Sequence, residues 1–277
     1  MKNVVLTISY DGTDFSGFQR QSGERTVQGV LEESLSLLEG EVPIVYGAGR
    51  TDSGVHALGQ VVNFYSKRDL PESAYLKGLN NILPDDLKVK QMKVADDNFH
   101  ARKSAKAKEY HYWLRLAQTP SPVGLKTLWI SEPLAVEAMG EALEHFRGSH
   151  DFSGFRTTGS SVVSTTRTIF NTSYKRLGNL VVFSMIANGF LYNMVRIIMG
   201  TLLDVGRGKI APDEIPLIIE SKDRQKAGAT APACGLYLYK VYYEHDVFCV
   251  EKNNQLDQKQ IKTEQFTSNL DIKDYIT

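Results

Sequence analysis

Over residues 3–94 the spacing of apolar residues alternates between strand and helix periods in a fixed order, and that order most restricts the fold. Residues 3–10 are rich in β-branched side chains and predict a strand, which Asp11-Gly12-Thr13-Asp14 breaks as a turn. Thr26 stands where a helix cap belongs, ahead of Val27, Val30, Leu31, Leu35 and Leu38 at helical spacing. Residues 43–48 and 60–65 predict two short strands. Pro71 opens a second helix with Tyr75, Leu76, Leu79 and Leu83 apolar, and residues 87–94 predict another strand. The order is β, α, β, β, α, β.

This is the ferredoxin-like order, and a second cycle follows it. A strand is expected over 106–116, a helix over 133–146, and a hairpin of 165–176 with 180–187 around Gly178-Asn179. A helix over 190–205, a shorter one over 212–220 and a closing strand over 236–243 complete it. The expected fold class is α+β, in two similar ferredoxin-like domains with antiparallel sheets, residues 1–104 and 105–247. No convincing sequence repeat links the halves. Residues 248–277 are polar, mixed in charge and poor in apolar residues, so a loosely packed or disordered extension is expected there.

Hydrophobic residues at 42% and charged residues at 23% suit a chain that buries a core without staples. Cys234 and Cys249 stand alone without zinc spacing, so neither a disulfide nor a metal is expected. Met1-Lys2-Asn3 runs straight into a strand-like segment, and no apolar run reaches the roughly 18 residues of a membrane span. A cytoplasmic protein with no membrane partner is expected. Lysine plus arginine and aspartate plus glutamate both total 32, a neutral balance that argues mildly against nucleic acid. The neutral total conceals a basic stretch, however. Residues 99–115 carry Arg102, Lys103, Lys106, Lys108 and Arg115 against one acid, Glu109.

Four places could carry chemistry. Asp52 lies among Gly47, Gly49 and Gly54, where the backbone can turn sharply and let a ligand approach. Arg50, two residues away, would keep its carboxylate ionised and fit to act as nucleophile or base. Two other readings stay open: a turn aspartate capping local N–H groups, or a phosphate-cradling loop, although no helix follows and the Walker lysine is missing. His56 is a conceivable acid or base, but a structural histidine is the simpler reading. Tyr110 and Tyr112 share a strand face beside basic residues, which suits stacking on an unpaired base or ordinary core packing equally well. Arg196 sits on a helix that is apolar almost all round. Its expected stripe is Leu191, Met194, Val195, Ile198, Leu202 and Val205, with Arg196 opposite, beside Met199 and Leu203. An arginine buried there needs an anion; a solvated one at a domain edge does not.

Together these segments resemble the tRNA pseudouridine synthase A family. The resemblance rests on residues 10–19 (YDGTDFSGFQ), 49–57 (GRTDSGVHA), 108–112 (KEYHY) and 188–196 (NGFLYNMVR), closed by 235–238 (GLYL). It spans residue 3 to about residue 245. It implies two similar RRM-like domains flanking a central basic cleft that receives RNA, in a homodimer. It implies isomerisation of uridine to pseudouridine at positions 38–40 of the tRNA anticodon stem-loop, without metal or cofactor. By motif, Asp52 matches the catalytic aspartate and Arg50 an arginine that helps displace the target base. Tyr110 matches the tyrosine that stacks on that base, and Arg196 the arginine paired with the aspartate. Arg102, Lys103 and Lys106 would hold phosphates. Two rivals are a silent RNA-binding protein of the same fold and a nucleotide-binding metabolic enzyme using the loop at 47–54.

Overall fold

The computed structural model describes residues 1–120, 126–157, 159 and 163–244 of the chain, so the expected extension and Cys249 lie outside the described residues. The described residues form two compact units, one of residues 1–108 with 237–244 and one of residues 109–236.

The first unit begins with β1 (Lys2–Tyr10) and α1 (Val27–Glu39), then β2 (Tyr46–Gly47) and β3 (His56–Ser66). A π-helical turn (Ala74–Gly78) leads into α2 (Leu79–Ile82), followed by β4 (Leu87–Ala95). β1 lies between β3 and β4, antiparallel to both. Thr26 caps α1, its Oγ1 accepting the Gly29 N–H at 3.3 Å, and Gly40 ends the helix in the left-handed region at φ 77°. Val27, Leu31 and Leu35 on its inner face are fully buried, each worth about 1.5–3 kcal/mol.

In this unit three elements differ from the sequence expectation. Of residues 43–48 only Tyr46 and Gly47 pair with β3. The reason is local competition: the Val45 N–H donates to the buried Glu32 carboxylate at 3.0 Å, and Gln28 Nε2 donates to the Val45 carbonyl at 3.1 Å. β3 is longer than residues 60–65 because it pairs with β1 along nearly its whole length. Gly59 hid that continuity, yet it is required, since a Cβ there would lie 2.4 Å from the Tyr239 carbonyl oxygen. The second helix contains the π-helical turn, which the apolar spacing did not reveal.

The second unit takes over along β5 (Ala107–Leu116) and continues with β6 (Leu128–Ile130), α3 (Val136–Glu144), β7 (Gly148–Asp151), β8 (Thr166–Leu177), β9 (Leu180–Ala187), α4 (Met194–Gly206) and α5 (Ile215–Ser221). Its sheet runs β5-β9-β8-β7, with β8 antiparallel to both neighbours and β6 parallel to β5. Gly178, at φ 59°, makes the tight turn between β8 and β9. The chain then returns to the first unit as β10 (Leu236–Tyr242), pairing parallel with β3 through Tyr237↔His56 and Leu238↔Ala57.

α4 starts at Met194 rather than at residue 190. Asn193 adopts φ 62°, a left-handed conformation that asparagine tolerates, so residues 190–193 form a turn ahead of the helix. The predicted apolar stripe of α4 is buried, and so are Ile197, Met199 and Leu203. The far side of the helix is covered by the segment 227–231. Gly200 meets it so closely that a Cβ would fall 1.6 Å from the Ala229 carbonyl oxygen, and Thr201 Oγ1 accepts the Gly228 N–H at 2.9 Å. No described helix is long and apolar enough to cross a membrane.

Candidate active site

The glycine-rich stretch is a loop from β2 into β3, and the segment after β1 holds it. The Phe18 N–H donates to the Thr51 carbonyl at 3.0 Å, and the Gly54 N–H and Ser53 Oγ both reach the Phe15 carbonyl, at 3.4 and 3.3 Å. The two strings touch backbone to backbone. A Cβ on Gly12 would lie 2.0 Å from the Val55 carbonyl oxygen, and one on Gly17, at φ 96°, 2.8 Å from that of Thr51. From below, buried Gln60 brackets Gly49, donating to its carbonyl at 2.7 Å and accepting its N–H at 3.3 Å. Tyr10 and Thr51 share a buried hydroxyl contact of 2.8 Å, and burial pushes the Tyr10 phenol up to about 12. Thr51 is thus held in the core, whereas Arg50 is exposed and Asp52 half-buried. The turn is closed by the Val55 N–H donating to the Asp52 carbonyl at 3.1 Å, with Gly54 at φ 76°.

Arg50 is the cation expected to keep Asp52 ionised. It extends to solvent and makes no ion pair with a described residue. His56 is buried: its Nδ1 accepts the Gly12 N–H at 3.0 Å and lies 3.1 Å from Asp11 Oδ1, and its ring stacks on Tyr237 at 4.6 Å. Lys108 is the cation that sequence reading left out of the site. Its Nζ packs against the loop, 3.3 Å from where a Cβ on Gly49 would sit. Its places in the basic stretch 99–115 and in the KEYHY motif were the signals for it. Arg102 and Lys103 are exposed on the turn before β5, and their charges join burial in holding His100 below the usual histidine range. Lys106 is exposed too, paired with Glu244 at 3.2 Å. Both side chains of that pair are more than half exposed, so it contributes little and exchanges readily for another anion.

In the second unit Tyr110 lies on β5, 8% exposed, with its ring edge-on to Phe190 at 5.1 Å between centroids. Tyr112, two residues on, is core: its hydroxyl donates to the Pro232 carbonyl at 2.7 Å, and burial pushes its phenol above the usual range. On the alternate face, buried Glu109 Oε1 meets His111 Nε2 at 2.7 Å and accepts from Ser184 Oγ at 3.1 Å. Arg196 occupies the first turn of α4, half-buried. Its Nε donates to the Ala231 carbonyl at 2.7 Å, and an Nη nitrogen donates to Asn193 Oδ1 at 3.0 Å. Both of these acceptors are neutral, one a backbone carbonyl over α4 and one the Asn193 side chain.

A family model described as tRNA pseudouridine synthase matches residues 6–102 and 142–244. Proteins named tRNA pseudouridine synthase A match over nearly their whole length. That of Acetivibrio thermocellus is 49% identical over 244 residues, covering 88% of this chain and 100% of the relative. That of Geobacillus sp. is 48% identical over 88% and 99%, and that of Bacillus subtilis 46% over 87% and 99%. This chain belongs to the tRNA pseudouridine synthase family. A solved chain of a Cbf5-Nop10-Gar1 complex aligns at TM-score 0.40 and 13% identity, over 87% of this chain and 50% of that one. For a tRNA pseudouridine synthase, the family model's two matched blocks contain the Asp52 loop with its cradle and the 188–196 segment, while Lys108 and Tyr110 fall between them.

Proposed function

We propose that Asp52 is the reacting carboxylate with which this tRNA pseudouridine synthase converts uridine to pseudouridine at positions 38–40 of the anticodon stem-loop. The observation that carries this reading is the rigid cradle of the Asp52 loop. Two glycine contacts and a buried glutamine hold the backbone, Thr51 is buried, and Asp52 is half-buried. A carboxylate held so is positioned before substrate arrives.

The reaction breaks the N1–C1′ bond of uridine, rotates the uracil and joins C5 to C1′. The proton lost from C5 and the one gained at N1 balance, so the isomerisation is redox-neutral. A stem uridine must first leave its stack, at a cost of a few kcal/mol. Exposed Arg50 is free to fill the vacancy, and Tyr110 offers an aromatic surface to the detached base. Arg196 lies in the first turn of α4, with two neutral acceptors fixing its guanidinium, which favours an added anion. Arg102, Lys103 and Lys106 take phosphates. The remaining architecture we read as two ferredoxin-like domains dividing near residue 104, in a cytoplasmic homodimer with a basic cleft.

The test uses tRNA tritiated at uridine C5. Wild type should release label, and Asp52→Asn should release none while binding tRNA nearly as well. Full activity of Asp52→Asn overturns the assignment.

A further inference from the structure

The segment 188–196 touches more than its own motif. Phe190 meets the Tyr110 ring, Asn193 holds Arg196, and Gly189 lies against a third group, Arg167 at the start of β8. The side chain of Arg167 runs along Gly189, its Nε 3.6 Å from where a Cβ would sit. One Nη nitrogen donates to the Ser164 and Thr166 carbonyls, at 2.9 and 2.6 Å. Among the described residues Arg167 has no carboxylate partner. The nearest acid along the neighbouring strand is committed elsewhere. His150 is the register partner of Arg167, and Asp151 beside it accepts from Thr165 Oγ1 and the Ser153 N–H and pairs with Lys222 at 3.0 Å. Burial holds the Arg167 guanidinium below the usual arginine range. A partly desolvated guanidinium with only neutral acceptors costs stability where it stands, and an anion arriving at its remaining N–H groups would offset that cost.

We infer that Arg167 is a phosphate-binding residue that grips the RNA backbone next to the nucleotide served by Tyr110. The ligand class is a phosphodiester, which guanidinium recognises through two parallel N–H donors. Its neighbours fit this task. Asn188 holds the start of β8 beside it, its side-chain oxygen accepting the Thr168 N–H at 3.0 Å and its backbone N–H donating to the Thr168 carbonyl at 3.1 Å. The inference rests on the tRNA reading but not on the identity of the reacting carboxylate.

The experiment is binding of full-length protein to an anticodon stem-loop RNA across a salt series, with Arg167→Gln and Arg167→Lys beside wild type. Arg167→Gln should weaken binding about tenfold and lower the salt slope by roughly 0.7–0.9, the value of one phosphate contact. Arg167→Lys should keep the slope and lose part of the affinity, because the paired donors are gone. Unchanged affinity and slope in a folded Arg167→Gln protein would overturn the proposal and leave a latch for the 164–166 backbone. If Arg167→Gln does not fold, wild type is tested against RNAs with single neutral methylphosphonate linkages. Loss of affinity at a linkage flanking the target uridine supports the contact, and no loss at any of them overturns it. Wild type that binds RNA in this way but releases no tritium would defeat the isomerase reading and leave the Arg167 result standing.

Discussion

Gly12 carries more of the Asp52 loop than any charged residue does. Its missing side chain lets β1's exit and the loop's return touch through backbone alone. Gly12→Ala places a methyl 2.0 Å from a carbonyl oxygen that cannot move without moving the loop. Overpacking of this kind costs about 1–3 kcal/mol, so a lower melting temperature together with a fall in tritium release is expected. An unchanged melt would show that the loop is not held as described. Asn63 is a second such residue. It is 1% exposed, donates to Asn3 Oδ1 at 2.9 Å and accepts the Ala101 N–H at 2.9 Å, while Asn3 Nδ2 reaches the Asp96 and Phe99 carbonyls. That chain of amides ties down the turn bearing Arg102 and Lys103. Asn63→Leu strands a buried N–H and a buried amide oxygen, about 1–3 kcal/mol each. Urea unfolding should report the loss, and tRNA affinity should fall with it.

At the scale of elements, the ends of α1 and α4 make contrasting tests. Thr26→Ala removes the α1 cap and should cost about 1 kcal/mol without touching kcat. Asn193 has two duties. Its left-handed backbone opens α4, and its side chain accepts from Arg196 and donates to Thr157 Oγ1 at 3.0 Å. Asn193→Gly keeps the conformation and loses the side chain, whereas Asn193→Ala loses both. If Arg196 matters to catalysis through its aim, both variants should lower kcat, and only the alanine variant should also lose roughly 1 kcal/mol to strain. Equal stability of the two would mean the helix start is not strained. This element also shows where pattern reading stops. The apolar spacing ran back to Phe190 because the turn is itself apolar in Phe190, Leu191 and Tyr192, and only the φ of Asn193 separates it from the helix.

For the whole molecule, net charge zero conceals a site-bearing basic stretch, and salt should expose it. Arg102→Ala with Lys103→Ala should lower the slope of log K against log salt by roughly 0.7–0.9 per residue. An unchanged slope would remove both from the RNA contact surface. Acid stability has a different origin. Asp151 accepts from Thr165 Oγ1 and pairs with Lys222, which holds its carboxyl at about 2 against an ordinary 3.8. A carboxyl depressed on folding stabilises the protein above its unfolded value, and that stability is lost as pH falls from about 4 toward 2. The side chain is 30% exposed, so solvent screening reduces the effect. Asp151→Asn should lower the urea midpoint at pH 6 and flatten its decline between pH 4 and 2.5. A decline as steep as in wild type would place the acid-labile group elsewhere.

Local order was legible in the sequence: β1, α1, β4, the hairpin of β8 and β9 and the body of α4 all follow from short-range spacing and caps. So was the candidacy of Asp52, through its glycines and its motif. What the sequence could not determine are relations between residues far apart in the chain. Residues 12–18 wrap residues 49–55, Gln60 brackets Gly49, the carbonyl of Ala231 takes the guanidinium of Arg196, and β10 returns to pair with β3. Periodicity reports which face of an element is buried, not what covers it. Asp52 was therefore readable as a residue that could react. That its backbone is held by Gly12, Gly17 and Gln60 was decided only when the chain folded those residues against it.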